Sequence, residues 1–228
     1  MQSSVSSHGK IQNKGSAVLF RNRYLELLLT KAPPLLIWSM YLPLITWMLY
    51  HIYTGYGVPA LKIAGLFILS FFGWTLFEYV AHRFIFHWIS DNANIQKMAY
   101  VFHGNHHHYP RDRMRLFMPP VPSIVISSVI FGSFYLGFGY YAFVIFPGFI
   151  LGYLTYASMH YAIHAYAPPF KWLKPLWRQH HLHHYKDEHR GFGVSNLFWD
   201  KVFGTAFQLD KIKDNKEEVN KLMFEKKK

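Results

Sequence analysis

The sequence predicts an all-α integral membrane protein with four transmembrane helices, and three observations favour this fold class. Of its 228 residues, 51% are hydrophobic and 19% are aromatic, which is more than most soluble domains of this size contain. The apolar residues are concentrated in a few long runs, whereas almost all of the 24 Lys and Arg residues lie outside those runs. Histidines cluster where the runs end.

The chain begins and ends with polar segments. Residues 1–17 are rich in Ser and are predicted to be disordered, and residues 18–31 are predicted to form a short amphipathic helix on the membrane surface. No apolar run with a cleavage pattern begins the chain, so export of the N-terminus is not expected. Residues 18–210 are predicted to form one membrane-embedded domain. Residues 211–228 are predicted to form a charged, solvated tail near anionic head groups.

Four apolar runs are long enough to be membrane spans, because about 20 apolar residues cross the hydrocarbon core of a bilayer. They cover about 34–53, 60–81, 120–137 and 140–164. Between 121 and 164 there is no Asp, Glu, Lys or Arg, and residues 137–139, Gly-Phe-Gly, predict a turn that makes a hairpin of two spans. A break at Pro147 instead would leave the number of spans unchanged.

The positions of Lys and Arg predict the orientation of the spans, since these residues favour the cytoplasmic side. Five precede the first span, five lie between 82 and 119, and thirteen follow residue 164, with Lys62 the exception. The termini and the central polar segment are therefore expected to be cytosolic, in the endoplasmic reticulum of a eukaryote or the inner membrane of a bacterium. The net charge of +12 does not indicate nucleic-acid binding, because the aromatic residues lie inside the apolar runs.

Ten histidines in four groups, all on the predicted cytosolic side, have the spacing of metal ligands. The chain has no Cys, so imidazole is the expected ligand, and imidazole suits iron, zinc, copper and nickel. Histidines three or four positions apart share a helical face, whereas His108 and His181 lie off that face and are expected beside the ligands or facing substrate. Ten ligands exceed the needs of one ion, so two ions with five each, or with four and an open position, are expected. The ten are His82, His87, His103, His106, His107, His160, His164, His180, His183 and His184.

Two local features leave alternatives open. His82 and His87 are five positions apart, which separates them by roughly 140° on an α-helix. They converge only if the helix ends or bends between them, or they serve different ions. Glu78 precedes His82 by one turn inside an apolar run, where a charge requires a partner. That partner is either a ligand imidazole, from which the carboxylate accepts a hydrogen bond, or Arg83.

Five stretches between residues 77 and 205 carry motifs of one superfamily. With them the chain resembles the fatty acid hydroxylase and sterol desaturase superfamily, and within it the fatty acid 2-hydroxylases most closely. The matching positions are 77–79 with 82–84 and 86–87; 103–107 with Pro110, Asp112, 115–116 and 119–120; 152–153 with Tyr156, 160–161 and His164; His180 with 183–184; and 191–195 with 199–205.

The resemblance implies a four-span fold with a cytosolic helical cap that holds a dinuclear, histidine-ligated metal site. It implies that O2 and two electrons hydroxylate carbon 2 of a fatty acyl chain, as a free acid or within a ceramide. Iron is the expected metal, and zinc can occupy such sites in purified proteins. Tyr156 is expected near the ligands or the substrate, and Asp112 and Arg115 are expected to be structural.

Two departures from the superfamily pattern bear on substrate and partners. Ala157 stands where the family usually has Asp, so recognition of the substrate head group is expected to differ. Many eukaryotic members carry an N-terminal cytochrome b5 domain, for which this chain has no room. Electrons are therefore expected from a separate protein, such as cytochrome b5 or a ferredoxin with its reductase.

Two other functions stay open on the sequence. Sterol and carotenoid hydroxylases or desaturases of the same superfamily use the same histidines on different lipids. A metal transporter is the second alternative, but it needs polar ligands near the membrane midplane. The predicted spans carry only Glu78 and the histidines at their ends.

Overall fold

The computed structural model describes residues 18–88 and 90–209, so the predicted disordered N-terminus and charged C-terminal tail lie outside the described residues. Within those ranges the chain is helical and contains no β-strand, which confirms the predicted all-α class there. The α-helices are α1 (Arg23–Thr30), α2 (Pro34–Tyr56), α3 (Ala60–Ala81), α4 (Ala93–Ala99), α5 (Asn105–His108), α6 (Pro120–Phe138), α7 (Ala142–Ala165), α8 (Lys174–Tyr185) and α9 (Phe198–Val202).

Three stretches of the described chain are long and apolar enough to cross a membrane: Pro34–Tyr56, Ala60–Phe86 and Arg113–Ala165. The third has 53 residues and contains both α6 and α7. Large apolar side chains such as Leu61 and Leu136 are exposed on these helices. Surfaces of this kind suit contact with lipid rather than water.

Proline and glycine set the ends of the long helices. Pro34 and Pro120 occupy the first turns of α2 and α6, where the missing N–H breaks no helical hydrogen bond. Gly57 ends α2 with a positive φ of 59°, a conformation that favours glycine. Gly139, with φ of 57°, follows α6, so the break between α6 and α7 lies at the predicted glycine turn. Pro147 lies inside α7.

The described chain divides into two compact units. The helix unit contains Val18–Leu76 and Met114–Ser158, and the described part of the histidine unit contains residues 77–88, 90–113 and 159–209. The division falls within α3 and α7, so each of these helices contributes to both units. All four predicted groups of histidine ligands lie in the histidine unit.

Close contacts between helices hold the helix unit together. The hydroxyl of Tyr41 on α2 lies 2.7 Å from that of Ser123 on α6. The indole N–H of Trp38 donates to the hydroxyl of Ser158 on α7 over 3.0 Å. A Cβ added at Gly152 of α7 would lie 2.4 Å from the Cβ of Trp74 on α3. Absence of a side chain at Gly152 therefore allows α3 and α7 to approach closely.

Hydrogen bonds fix α8 within the histidine unit. The indole N–H of Trp177 donates to the carbonyl of Tyr166 over 2.9 Å, just beyond the end of α7. The side-chain amide of Gln179 donates to the carbonyl of Phe207 over 2.8 Å and accepts from the Phe207 N–H over 2.9 Å. These bonds hold α8, which carries three of the predicted ligands, between two other segments of the chain.

Candidate metal centre

The structure brings all ten histidines that the sequence singles out into two groups of five. In each group, one ring nitrogen per residue lies within 4.8 Å of the others, and nearly all of the side chains are buried. The residues come from segments up to about a hundred positions apart, so the grouping depends on the tertiary fold. Group A is His82, His87, His103, His107 and His183; group B is His106, His160, His164, His180 and His184.

The nitrogen spacing fits metal coordination. In group A the Nε2 atoms of His82 and His103 are 3.0 Å apart, as are those of His87 and His183. In group B the corresponding distance between His106 and His184 is also 3.0 Å. Two nitrogens that each lie about 2.1 Å from one ion are about 3.0 Å apart when they subtend a right angle. Five donors spaced in this way leave room for a further ligand on the ion.

A change of helix pitch explains how His82 and His87, five positions apart, can lie in the same group. Residues His82–Phe86 form a π-helical turn at the end of α3, in which the His87 N–H donates to the His82 carbonyl over 3.3 Å. The wider turn brings both rings into group A, with centroids 5.1 Å apart. A second π-helical turn, Tyr100–Gly104, precedes α5. Single π turns of this kind are frequent at functional sites.

The two His-x-x-His-His motifs divide between the groups in opposite ways. In the first motif the pair four residues apart, His103 and His107, belongs to group A, and His106 belongs to group B. In the second motif the pair four residues apart belongs to group B and the middle histidine to group A; these are His180 and His184, and His183. Each motif therefore links the two groups.

The two groups are adjacent. The rings of His103 and His106 have centroids 5.6 Å apart, and those of His183 and His184 are equally close. Each of these pairs contains one member of each group. Two ions held in groups A and B would therefore be neighbours, as a dinuclear site requires.

Burial keeps the imidazoles neutral. Desolvation lowers the pKa of His103, His106 and His107 well below its ordinary value of 6.5, and the neighbouring imidazoles lower it further. The same causes lower the pKa of the ligands on α8. A metal ion binds the neutral form of histidine, so no proton has to be removed before binding at pH 7.

Two ligands of group A are oriented by backbone carbonyls. The Nδ1 of His82 lies 2.6 Å from the carbonyl oxygen of Phe192, and the Nδ1 of His183 lies 2.7 Å from that of Arg190. With a proton on Nδ1 as donor, Nε2 is left with its lone pair directed into the group. Three ligands of group B differ, because their buried Nδ1 atoms have no hydrogen-bond partner among the described residues; they are His106, His180 and His184.

Glu78 has another partner than either of the two that the sequence suggests. Its buried carboxylate accepts hydrogen bonds from the backbone N–H groups of Val194 and Ser195, over 2.7 and 2.8 Å, and from the Ser195 hydroxyl. Arg83 instead donates to the hydroxyl of Tyr79 over 2.9 Å. The carboxylate thus contacts the segment whose Phe192 carbonyl orients His82, rather than a ligand imidazole. Such a partner more than a hundred positions away cannot be read from local spacing.

His108 and His181 lie outside both groups. His108 stacks on Tyr109 with ring centroids 4.5 Å apart. The Nδ1 of His181 lies 2.7 Å from the Trp177 carbonyl, and desolvation lowers the pKa of His181 to about 4. Neither residue is a member of the two groups.

The other predicted site residues are divided between the units. Tyr156 lies in the helix unit against Trp74, with ring centroids 5.9 Å apart. Arg115, also in the helix unit, forms an ion pair with Glu26. Asp112 lies in the histidine unit, in a turn where its N–H donates to the Tyr109 carbonyl over 3.0 Å.

Sequence reasoning assigned no role to Asp200 or to the backbone around Phe192. Asp200 is fully buried and accepts hydrogen bonds from the N–H groups of Phe192 and Gly193. The signal that could have found this segment is the pair Gly191 and Gly193. A Cβ added at Gly193 would lie 2.1 Å from the Asn196 carbonyl oxygen, so the backbone approaches too closely for a side chain.

Comparison with known proteins identifies the family. A family model described as Fatty acid hydroxylase matches residues 67–205, a range that contains every histidine of groups A and B. The chain belongs to the fatty acid hydroxylase family. This confirms the resemblance seen in the sequence motifs.

Named relatives of this chain include fungal, plant and human proteins. The "Ceramide very long chain fatty acid hydroxylase scs7" of Schizosaccharomyces pombe is 38% identical over 85% of this chain and 56% of its own length. The "Fatty acid 2-hydroxylase" of Homo sapiens is 38% identical over 65% of this chain and 41% of its own length. The "Dihydroceramide fatty acyl 2-hydroxylase FAH1" of Arabidopsis thaliana is 30% identical over 87% of this chain and 83% of its own length. The chain spans about half the length of the fungal relatives.

A solved structure is also similar to this chain. It is described as "Full length scs7p (only hydroxylase domain visible)" and is 34% identical, with a TM-score of 0.78. The match covers 86% of this chain and 74% of that one. The similarity therefore includes most of the described fold as well as the sequence motifs.

Proposed function

We propose that this protein is a membrane di-metal monooxygenase that hydroxylates carbon 2 of a fatty acyl chain, either free or linked in a ceramide. The observation that carries the proposal is the pair of adjacent five-histidine groups in a chain of the fatty acid hydroxylase family. The relatives named fatty acid 2-hydroxylase and ceramide hydroxylase support the position of hydroxylation and the class of substrate.

The reaction converts one C–H bond at carbon 2 into C–OH. O2 supplies the oxygen atom, and its second atom leaves as water after it takes up two electrons and two protons. Two bound metal ions, with iron expected in the cell, would supply the activation of O2. The residues of groups A and B would hold these ions through ten neutral nitrogens. Neutral ligands add no negative charge, which favours the reduced state that the reaction needs before O2 binds.

The burial of the histidines has a second chemical role. Burial of both groups would limit the access of water to the ions that they hold, and it strengthens local electrostatic interactions. The carbonyls of Phe192 and Arg190 hold His82 and His183 in the orientation required of ligands. The chain thus contributes a dry and oriented donor set, while the ions contribute the redox chemistry.

The proposal includes four membrane spans with the histidines and both termini on the cytosolic side. The stretch Arg113–Ala165 has 53 residues, enough to cross twice with a turn at Gly139, since each crossing needs about 20. The distribution of Lys and Arg supports this orientation. In this arrangement electrons come from a cytosolic-side donor such as cytochrome b5, or a ferredoxin with its reductase.

The test is lipid analysis of cells that express this chain together with a cytochrome b5 or ferredoxin reducing system. Mass spectrometry should find 2-hydroxy acyl chains, in free acids or ceramides, that are absent without the protein. His106→Ala and His183→Ala should each abolish the product, whereas His108→Ala, which changes a histidine outside both groups, should retain it.

Three results would contradict the proposal. Unchanged 2-hydroxy lipids with a metal-loaded protein would exclude the acyl 2-hydroxylase. New hydroxylated sterols or carotenoids would assign the same site to another lipid class. Metal accumulation in the cell without any oxidised lipid would favour transport.

A further inference from the structure

The segment 190–195 makes two kinds of contact with group A. The carbonyl oxygens of Arg190 and Phe192 lie 2.7 and 2.6 Å from the Nδ1 atoms of His183 and His82. The ring of Phe192 also packs against group A, with centroid distances of 5.7, 5.9 and 5.7 Å to three ligands, His82, His87 and His183. This segment therefore forms one wall of group A.

Two buried carboxylates hold this segment through four consecutive backbone amides. Asp200 accepts from the N–H groups of Phe192 and Gly193 over 3.0 and 2.7 Å. Glu78 accepts from those of Val194 and Ser195 over 2.7 and 2.8 Å. Asp200 is fully buried, and Glu78 is 3% exposed. Hydrogen bonds from N–H groups to carboxylates are about twice as strong as those to neutral acceptors, so the backbone is firmly fixed here.

Further hydrogen bonds mean that the position of Asp200 requires a carboxylate rather than an amide. The hydroxyl of Thr205 donates to Asp200 over 2.7 Å, and the Gly191 N–H donates to the Thr205 carbonyl over 3.0 Å. Both oxygens of Asp200 thus accept from donors, and an asparagine there would place an NH2 group opposite an N–H. Glutamine in place of Glu78 could direct its NH2 group at the Ser195 hydroxyl, which can accept, so this change mainly removes the negative charge that strengthens the bonds from the Val194 and Ser195 N–H groups.

We propose that Glu78 and Asp200 are positioning residues for the metal ion of group A: by holding residues 192–195 they place the Phe192 carbonyl, which orients the ligand His82. This role rests on the proposed dinuclear metal site. It gives a role to two buried carboxyl groups whose hydrogen bonds go to this segment and to Thr205 rather than to a ligand imidazole. It also makes the two ions unequal, because the outer nitrogens of three ligands in group B have no such carbonyl among the described residues.

The test measures metal per chain in the full-length protein purified in detergent, by elemental analysis during titration with a chelator. Loss of an outer hydrogen-bond partner of a ligand typically weakens metal affinity by about 10–100-fold. We expect Asp200→Asn and Glu78→Gln each to release one ion at roughly that much lower chelator concentration, while the second ion is released as in the wild type. Asp187→Asn is the matched control, since this carboxylate accepts from the exposed His189 N–H, a bond that lies outside residues 192–195.

Double variants assign the released ion. In a His82→Ala background, which already lacks the ion of group A, Asp200→Asn should change the metal content little. In a His180→Ala background, which lacks the ion of group B, the same change should release the remaining ion at about 10–100-fold lower chelator concentration. Ser195→Ala is a milder variant that keeps both backbone amides and loses only the hydroxyl bond to Glu78, so it should fold normally and shift one release step by less than about tenfold.

Three outcomes would overturn the positioning role. In the first, Asp200→Asn and Glu78→Gln release both ions at the same chelator concentrations as the wild type. In the second, these variants release both ions together instead of one first. In the third, adding Asp200→Asn to His82→Ala removes the ion that His82→Ala still holds. If these variants behave as the wild type while the wild type holds two ions, only the positioning role fails. If the wild type loaded with iron or zinc holds no ion, the proposed dinuclear function itself fails.

Discussion

The rings of His107 and His184 stack with their centroids 4.2 Å apart and their planes inclined by 25°, although the two residues belong to different groups. Each ring keeps its Nε2 in its own group: that of His107 lies 3.0 Å from the Nε2 of His103, and that of His184 lies 3.0 Å from the Nε2 of His106. This contact joins the two candidate metal positions through one pair of packed side chains.

Because each of these two rings keeps its Nε2 in its own group, we expect that each ion can be removed separately. His107→Ala should lower bound metal from about two ions to about one per chain by loss from group A, and His184→Ala should do the same for group B. The double variant should bind almost none. Elemental analysis of the purified proteins measures this. His108→Ala and His181→Ala are controls that should keep both ions, and full metal retention by both ligand variants would refute the site.

Close packing of α3 on α7 predicts the effect of two glycine substitutions. A Cβ at Gly148 would lie 2.1 Å from the Ser70 hydroxyl and 2.3 Å from the Phe67 carbonyl oxygen. Gly148→Ala should therefore force the helices apart and destabilise the protein by about 1–3 kcal/mol, seen as a lower thermal midpoint in detergent. Gly132→Ala on α6, where a Cβ meets nothing within 4 Å, should be tolerated; equal midpoints for the two variants would contradict the prediction.

The ion pair of Glu26 and Arg115 predicts a pH dependence of stability. Burial raises the pKa of Glu26, but the N–H groups of Phe20 and Leu19, the Thr30 hydroxyl and the Arg115 charge together lower it below its ordinary value of 4.5. A lowered pKa means that this stabilisation is complete above the ordinary value and is lost as the pH falls through the folded-state pKa.

Glu26→Gln should therefore reduce the acid-induced fall in the thermal midpoint below about pH 4.5, in addition to lowering the midpoint at pH 7. Melting curves between neutral and acidic pH measure both effects. Glu188→Gln, which removes a carboxylate from the other unit, is a charge control. The same pH slope in wild type and Glu26→Gln would show that this carboxylate does not contribute.

The absence of cysteine makes the proposed topology directly testable, because any introduced cysteine is the only thiol in the chain. Tyr56→Cys and Tyr140→Cys, which change exposed residues beside the two glycine turns, should react with a membrane-impermeant reagent from the non-cytosolic side. Asp112→Cys and Lys171→Cys should react only from the cytosolic side. Labelling of Tyr140→Cys from the cytosolic side would mean that the stretch Arg113–Ala165 does not cross the membrane twice.

The sequence predicted the helices better than their partners. The ends of α2 and α6 follow from proline and glycine, whose backbone preferences act locally. Similarly, the ten histidines stand out by residue type and by offsets of three and four, which need only helical geometry. The π-helical turn His82–Phe86 was outside this reasoning, since a change of pitch depends on contacts that the local sequence does not encode.

What the sequence alone determined is the all-helical class, the apolar runs, the set of ten histidines and the family resemblance. Only the tertiary structure decided that His106 belongs with His184 while His107 belongs with His183, and that Glu78 holds residues 194–195. The physical reason is distance along the chain. The His82 ring and the Phe192 carbonyl that orients it are separated by 110 positions, and such contacts exist only after α3, α8 and the segment 190–195 have packed together.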